Sequence, residues 1–286
     1  MQALIMTAYR DPRGLSRRLR ALSRFVPCFV HADAKGEISQ EDIRALNGLS
    51  GVYAIRKHKV NWGSICHLYA MLDLMRESLK DERNTHLHLI SAQDFPTIAH
   101  DTFCKSFEGN DRLHMQLLKT ADYPELSHRY EHFHFMHIVN YRDKSERTEN
   151  LIGRIDRFQD NLHIKRRLSV PNKGLVWCSI PREAAEYALN EPANKRLLRK
   201  LRFTYIPEEF FFQNAFAGTA WEEKITGDAL RFSIWDEPGR GTPALLNEKD
   251  LPAIDESGCV FCRKVDTDSA LYEILEERWL ASDPGE

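Results

Sequence analysis

Short apolar runs punctuated by polar turns dominate the first hundred positions, and their period switches from segment to segment. Residues 4–8 form an apolar run of strand length. Residues 15–22 place their apolar positions on one side of a basic amphipathic helix. A second strand is predicted over 26–30, leading into His31-Ala-Asp33-Ala-Lys35, then a helix over 40–46 and a short strand over 51–55. Between residues 64 and 79, Ile65, Leu68, Tyr69, Leu72, Met75 and Leu79 recur at three- and four-residue steps, which predicts a helix with one buried face. Residues 87–90 predict the next strand, ending at Ser91-Ala-Gln93-Asp94-Phe-Pro96. Such alternation predicts an α/β fold with a mostly parallel central sheet flanked by helices. Ligands of such sheets bind beyond the carboxyl ends of the strands. His31, Asp33, Lys35, Ser91 and Asp94 all fall at those ends.

The pattern changes from residue 120 to about 168, where His, Arg, Tyr and Phe crowd together and β-branched runs are few. Residues 147–167 read as an exposed helix or a mobile loop. The stretch fits a lid, an acceptor-facing insertion or a solvated connector. Strand and helix signals then return: a strand over 175–180 around Trp177, a helix opened by Pro181, a helix opened by Pro207-Glu208-Glu209, a strand over 230–235, a helical turn over 249–255, a strand over 259–264 and a final helix carrying Leu271, Ile274, Leu275 and Leu280. The chain thus divides into a nucleotide-binding half (1–118), a helical or loop insertion (119–170) and an acceptor and catalytic half (171–286).

Composition narrows the classes. The 286 residues carry 40 basic and 42 acidic side chains, a formal net charge of −2, which excludes the basic excess of a nucleic-acid binder. The opening apolar run is too short to span a bilayer and is read as the first strand, and no later run approaches the length of a spanning helix. A cytoplasmic protein with reduced thiols is expected. Cys259 and Cys262 form one C-x-x-C, which reads as two strand residues rather than half of a zinc site.

Four constellations are candidates for chemistry. In Pro207-Glu208-Glu209-Phe-Phe-Phe, a carboxylate against an aromatic wall is partly desolvated, and its pKa rises toward that of a general base. Plain charge capping of a helix N-terminus fits the same pair. In Phe261-Cys-Arg263-Lys264-Val-Asp266, two cations end an apolar strand, which suits a diphosphate; a surface pair beside Asp266 fits as well. His31-Ala-Asp33 makes only half a metal site, and Lys35 opposes a cation. Ser91-Ala-Gln93-Asp94 offers one carboxylate where metal-bridged transferases usually place two.

Taken in order, these blocks resemble the core-2/I-branching N-acetylglucosaminyltransferases and peptide O-xylosyltransferases, glycosyltransferase family 14. The blocks are Ala8-Tyr9 with Asp11-Pro12, His31-Asp33-Lys35, Val60-Asn61-Trp62-Gly63, Ser91-Ala-Gln93-Asp94-Phe95-Pro96, Trp177 with Arg182-Glu183, Pro207-Glu208-Glu209, Trp235, and Phe261-Cys-Arg263-Lys264-Val-Asp266. Ala92, Cys262 and Val265 depart from the family's usual Gly, Ala and Phe. The resemblance implies a GT-A-like nucleotide-sugar-binding fold, a UDP-sugar donor and inversion at the anomeric carbon. It implies Glu209 as catalytic base and Lys264, with Arg240 upstream, as ligands of the donor diphosphate, and the cation pair itself adds Arg263 as a candidate.

The expected nucleotide contacts are Thr7, Tyr9, Arg10, His31 and Asn61. The donor and acceptor pocket is expected to use Trp62, Ser91, Gln93, Asp94, Trp177, Glu208 and Trp235, with Tyr205 as a further stacking wall. No metal or other cofactor is expected. The resemblance is to bacterial members that build surface polysaccharide. It implies transfer of a GlcNAc- or xylose-type sugar to a hydroxyl of a glycan or other acceptor, with peripheral association with a lipid-linked acceptor at the inner face of the membrane. A non-catalytic nucleotide- or carbohydrate-binding module is the alternative.

Overall fold

A computed structural model describes residues 1–143, 145–235 and 242–281. In chain order the elements are β1 (Gln2–Ala8), α1 (Pro12–Leu22), β2 (Cys28–Ala32), α2 (Gln40–Asn47), β3 (Val52–Ile55), α3 (Ile65–Ser78), β4 (His86–Ser91), β5 (Asp94–Pro96) and α4 (His100–Ser106). After them come β6 (Leu118–Lys119), α5 (His128–Glu131), α6 (Glu146–Asn161), β7 (Asn172–Lys173), β8 (Ser179–Pro181), α7 (Arg182–Asn190), α8 (Pro192–Lys200), α9 (Glu208–Ala215), β9 (Arg231–Phe232), α10 (Leu251–Glu256), β10 (Phe261–Arg263) and α11 (Ala270–Leu280).

Local chemistry sets several of these boundaries. Asp11, in the left-handed region at φ 55°, caps α1 by accepting from the Gly14 amide at 2.9 Å, and Pro12 occupies the first helical turn, where no amide is needed. Ser39 and Asp42 form a reciprocal capping box on α2. β2 begins two positions later than the apolar run predicts, because Pro27 has no amide to donate to the ladder and contributes only its carbonyl, to Leu4 N at 2.9 Å.

The main sheet has the order β3-β2-β1-β4-β8, with β8 antiparallel to β4 and the other pairs parallel. Apolar clusters cover both faces. Leu4 and Met6 of β1 join Leu15, Leu19, Val30, Phe103, Tyr272 and Trp279 on one side. Ile5 joins Leu68, Leu72, Leu87, Leu89, Phe210 and Phe212 on the other. A smaller sheet of order β5-β10-β9 leans on the carboxyl end of β4, with Arg263 paired in register with Asp94. Arg231 is buried and ties the two sheets together, donating to Ser179 Oγ at 2.8 Å and the Cys178 carbonyl at 2.7 Å.

Three expected strands are shorter than the apolar pattern suggests. Trp177 precedes β8 instead of sitting within it, since β8 pairs with β4 only from Ser179 onward. β9 is two residues long and stops before Trp235. Cys262 lies in β10, whereas Cys259 lies before it, and all six cysteines are free thiols. α4 and α8 had no counterpart in the sequence reading.

The insertion is bonded to the stretch that precedes α9. Tyr205 N donates to Arg129 O at 2.8 Å, His134 N to Phe203 O at 2.9 Å, and the Arg166 guanidinium to Thr204 Oγ1 at 2.9 Å. Among the described residues no helix is long and apolar enough to cross a membrane.

Trp279 anchors α11 against α1. It is fully buried, donates its indole N–H to Ala21 O at 3.3 Å and meets Phe103 edge-on at 5.5 Å. Trp279→Ala is expected to lower unfolding stability by about 3–5 kcal/mol. The urea midpoint checks this, and a midpoint within error of wild type would remove Trp279 as an anchor.

Candidate active site

A cleft of about 940 Å³ opens at the carboxyl edge of the main sheet. Its base follows from register: Thr7 pairs with His31 on one side and with Ser91 on the other, so three strand ends present polar side chains side by side. Thr7 Oγ1 lies 3.1 Å from His67 Nε2, and His67 Nδ1 lies 3.0 Å from Glu208 Oε1. This chain of contacts links β1 through α3 to the start of α9. His31 is buried, and its Nε2 accepts from the His58 amide at 3.0 Å. Burial, with His58 and His67 nearby, pulls its pKa down to about 4, so the ring is neutral at physiological pH.

Asp33 and Lys35 shape the loop after β2. Asp33 Oδ1 accepts from the amides of Lys35 and Val60, each at 3.0 Å. Lys35 Nζ donates to Asn61 Oδ1 at 2.6 Å, and Asn61 Nδ2 donates to Met136 O at 2.8 Å. Asn61 is therefore a clip between this loop and the insertion, and it is not among the residues lining the cleft, contrary to its expected nucleotide contact. Asp94 departs from expectation in the same way. It is fully buried behind the cleft wall, where it accepts from the Ser91 amide and forms an ion pair with Arg263 Nε at 3.1 Å, at angles off those of a hydrogen bond. It pairs with Arg263 from behind the wall and is not among the residues lining the cleft.

The two glutamates at the start of α9 diverge. Glu208 is buried; its Oε1 meets His67, and its Oε2 has no hydrogen-bond partner among the described residues. Glu209 lines the cleft, and its side chain is 25% exposed. Its Oε2 accepts from the Arg129 guanidinium at 2.9 Å. Arg129 is itself buried, stacks 5.0 Å over the Phe210 ring, and reaches the Tyr205 and Ile206 carbonyls at 3.3 and 3.4 Å. Burial raises the Glu209 pKa, and Arg129 opposes that rise.

Cations gather on the facing side. Arg10, Arg142, Arg263 and Lys264 all line the cleft. Lys264 Nζ donates to Thr242 O at 3.3 Å. Burial lowers the Lys264 pKa first, and the positive charges of Arg263, Arg10 and Arg142 lower it further. Arg263 stacks 4.6 Å from the Trp177 ring, and Arg142 stacks 4.4 Å from the Trp62 ring. Arg18, fully buried, donates to the carbonyls of Ala92 at 2.6 Å and Val265 at 2.9 Å, tying the end of β4 to the end of β10.

Of the residues singled out from sequence, Thr7, Tyr9, Arg10, His31, Trp62, Ser91, Gln93, Trp177, Glu208, Glu209, Trp235, Arg263 and Lys264 line this one cleft. Arg240 lies outside the described residues. Tyr205 packs edge-on against Trp62 at 5.6 Å and is not a wall of the cleft. Sequence reading missed Arg129, His67 and Arg142. Arg129 sits in the conspicuous Arg129-Tyr-Glu-His-Phe-His-Phe135 cluster, but nothing in that cluster says which side chain faces a residue 80 positions away. Among the described residues no three His, Cys, Asp or Glu side chains gather closely enough to hold a metal ion.

No curated protein matches the chain. Among solved structures it is similar to S. aureus TarS 1-349 at 11% identity, over 42% of this chain and 35% of that one, with a TM-score of 0.29. It is similar to the WbbM bifunctional glycosyltransferase at 10% identity, over 98% of this chain and 52% of that one, with a TM-score of 0.41. It is also similar to mannose-1-phosphate geranyltransferase from Thermus thermophilus at 12% identity, over 80% and 71% of the two chains, with a TM-score of 0.31. The chain spans about a third and about half of the first two proteins' lengths. The sequence profile of the core-2/I-branching enzymes matches residues 7–255, a span that takes in the strand ends, the insertion and both glutamates and stops before Arg263 and Lys264. The chain belongs to the core-2/I-branching enzyme family.

Proposed function

We propose that this glycosyltransferase has a GT-A-like fold and is inverting and metal-independent. It moves a GlcNAc- or xylose-type sugar from a UDP-sugar to a hydroxyl of a glycan or other acceptor. The work is done at the cytoplasmic face of the membrane, in surface polysaccharide synthesis, with a lipid-linked acceptor as one candidate. The observation that carries the reading is a single cleft with a half-desolvated carboxylate, Glu209, on one wall and, on another, the cations Arg10, Arg142, Arg263 and Lys264, of which Arg263 alone has a carboxylate partner among the described residues.

The chemistry follows from that division. With Oε2 held by Arg129, the other oxygen of Glu209 takes the proton from the acceptor hydroxyl. The acceptor oxygen forms its bond to the anomeric carbon as the bond from that carbon to the phosphate oxygen breaks, and UDP departs with the electron pair. Negative charge grows on the diphosphate, and Lys264 and Arg263 stabilise it, by about 3–4 kcal/mol per well-placed group. This arrangement assigns the cations the part a divalent ion plays in metal-bridged transferases. Trp62 and Trp235 are exposed at the cleft and offer flat faces for sugar rings. Thr7, Tyr9, Arg10 and His31 lie at the sheet end where the nucleotide is expected.

The direct experiment is a panel of UDP-sugars tested for thermal stabilisation, hydrolysis and transfer, with EDTA present throughout. Transfer in EDTA is expected. Abolition by chelator with rescue by Mn²⁺ would restore a metal mechanism, and stabilisation by UDP without turnover of any donor would leave a binding module. Lys264→Ala is expected to weaken UDP binding by about tenfold or more in calorimetry, and an unchanged Kd removes the clamp.

Glu209→Gln is expected to keep UDP binding and lose about a thousandfold in kcat; near-wild-type turnover would eliminate Glu209 as the base.

The acid limb of kcat/KM tests Arg129. Burial raises the Glu209 pKa and the guanidinium opposes it, with Glu208 and Lys173 as the other charges facing the group. The base works only when deprotonated, so rate falls as pH drops through that pKa. Arg129→Gln removes the opposing charge and is expected to move the limb to higher pH, with Arg129→Lys between the two. A limb that stays in place in both variants shows that the pair does not set the base's protonation.

A further inference from the structure

Helix α6 is turned inside out. Its one buried residue is the polar Gln159, while Leu151, Phe158 and the C-cap Leu162 are 45%, 60% and 58% exposed. A surface helix of a globular protein normally shows the opposite, with its apolar stripe against the core. Leu151, the half-buried Ile155, Phe158 and Leu162 succeed one another at four-, three- and four-residue steps, so they fall within about 60° of one another around the axis. Ile138, before the helix, is 71% exposed as well. Single exposed apolar residues need no explanation; a continuous stripe of this kind marks a surface that something covers.

The charges of α6 say what covers it. Arg147, Arg154 and Arg157 form no ion pair among the described residues. On a helical wheel Arg147 and Arg154 stand within about 70° of the centre of the apolar stripe, while the nearest carboxylate, Asp156, stands about 130° away. The helix therefore keeps its acids away from the apolar stripe and places Arg147 and Arg154 at its margin, while Arg157 stands about 130° away on the polar side. An apolar ridge bordered by cations on one side is the pattern of a helix lying in a bilayer interface, where the apolar side chains enter the acyl boundary and the cations meet anionic headgroups. A second copy packed antiparallel on the same ridge would bring like-charged arginines together.

We propose that α6 is an interfacial anchor that docks the protein on an anionic lipid surface. The stripe does not cross the bilayer; it lies along it. The segment that leads into α6 contributes Asn140 and Arg142 to the cleft, and Arg142 stacks on Trp62 at its mouth. Docking through α6 thus brings the mouth of the cleft to the headgroup layer, where an acceptor carried on a lipid would be presented. The proposal goes beyond the transferase reading, and its test needs no sugar.

Flotation of the full chain with vesicles is the measurement, comparing equimolar phosphatidylglycerol and phosphatidylcholine with phosphatidylcholine alone. Binding to the anionic vesicles is expected, weakened by salt. Phe158→Ser with Leu162→Ser is expected to reduce partitioning by about tenfold or more, since two large apolar side chains no longer leave water. Arg147→Gln with Arg154→Gln is expected to erase the preference for anionic vesicles while the apolar residues remain. Both pairs alter exposed positions, and circular dichroism verifies folding. As an independent check, the indole fluorescence gained in Phe158→Trp should be quenched by lipids brominated on their acyl chains. The proposal is overturned if the chain does not float with anionic vesicles, if the serine pair floats as wild type does, or if that added fluorescence ignores the brominated lipid. It is equally overturned if light scattering shows a dimer that the serine pair dissolves, because a second copy then covers the stripe.

Discussion

Thr7 stands between His31 and Ser91 because β1 is the middle strand of three parallel neighbours in a fixed register. A slip of one residue would turn Thr7 to the opposite face and bring Met6 or Ala8 to its place, and every side chain of β1 would change sides. The slip is prevented by burial on both faces: Leu4 and Met6 face one apolar cluster and Ile5 the other. The polar contacts around the cleft depend on this register. His67 finds Thr7 at 3.1 Å, Glu208 finds His67 at 3.0 Å, and the turn after Ser91 carries Asp94 to where it can pair with Arg263. The cleft is thus assembled outward from the sheet, and its polar residues inherit their positions from apolar packing.

Two electrostatic arrangements coexist in the cleft, and they differ in kind. Glu209 has a partner: the loss of hydration that raises its pKa is opposed by a guanidinium at 2.9 Å. The cations around Lys264 have less relief among the described residues: Arg263, Arg10 and Arg142 each add to the repulsion that lowers the Lys264 pKa, and only Asp94 opposes it. Two like charges 4 Å apart interact by roughly 4 kcal/mol at an effective dielectric constant near 20, so a cluster of this sort is sustained by the fold and relaxed by an anion. Asp94 does not supply that relief at the cleft itself. It is buried behind the wall and engages one edge of Arg263 only. A diphosphate, the anion of the proposed donor, is a complement that suits this arrangement.

The elements legible in the sequence were those whose period is set by burial. α3 shows its buried face at three- and four-residue steps, and α11 hides Leu271, Leu275 and Trp279 along one side. β9 and the approach to β8 misled, because an apolar run such as that around Trp177 looks like a strand whether its backbone pairs or lines a cavity. The site was legible where a residue sits at a strand end or a helix start, as Ser91, Glu209 and Lys264 do, since the chain's own order places those points together. Asn61 and Asp94 stand in the same blocks yet act as braces, and no local pattern separates a brace from a ligand contact. Arg129 is the opposite case: its partner is 80 positions away and is found only once the insertion has packed.

That packing also bears on how the insertion can move. Arg129 reaches Glu209 and the two carbonyls before α9, the Tyr205 amide donates to Arg129 O and the His134 amide to Phe203 O across the same seam, Arg166 holds Thr204, and Asn61 reaches Met136 from the other side. Swinging the whole segment aside would break all of these at once and leave both Glu209 and a buried guanidinium without their partner, a cost of about 3–5 kcal/mol for the charge pair alone. Motion that admits an acceptor is therefore confined to parts of the insertion outside this seam, such as the stretch around Arg142 whose contact with Trp62 is a single exposed stack. The insertion is thus held to Glu209 at the seam and carries α6 beyond the stretch around Arg142, so a movement of α6 can reach the cleft mouth without disturbing the Arg129–Glu209 pair.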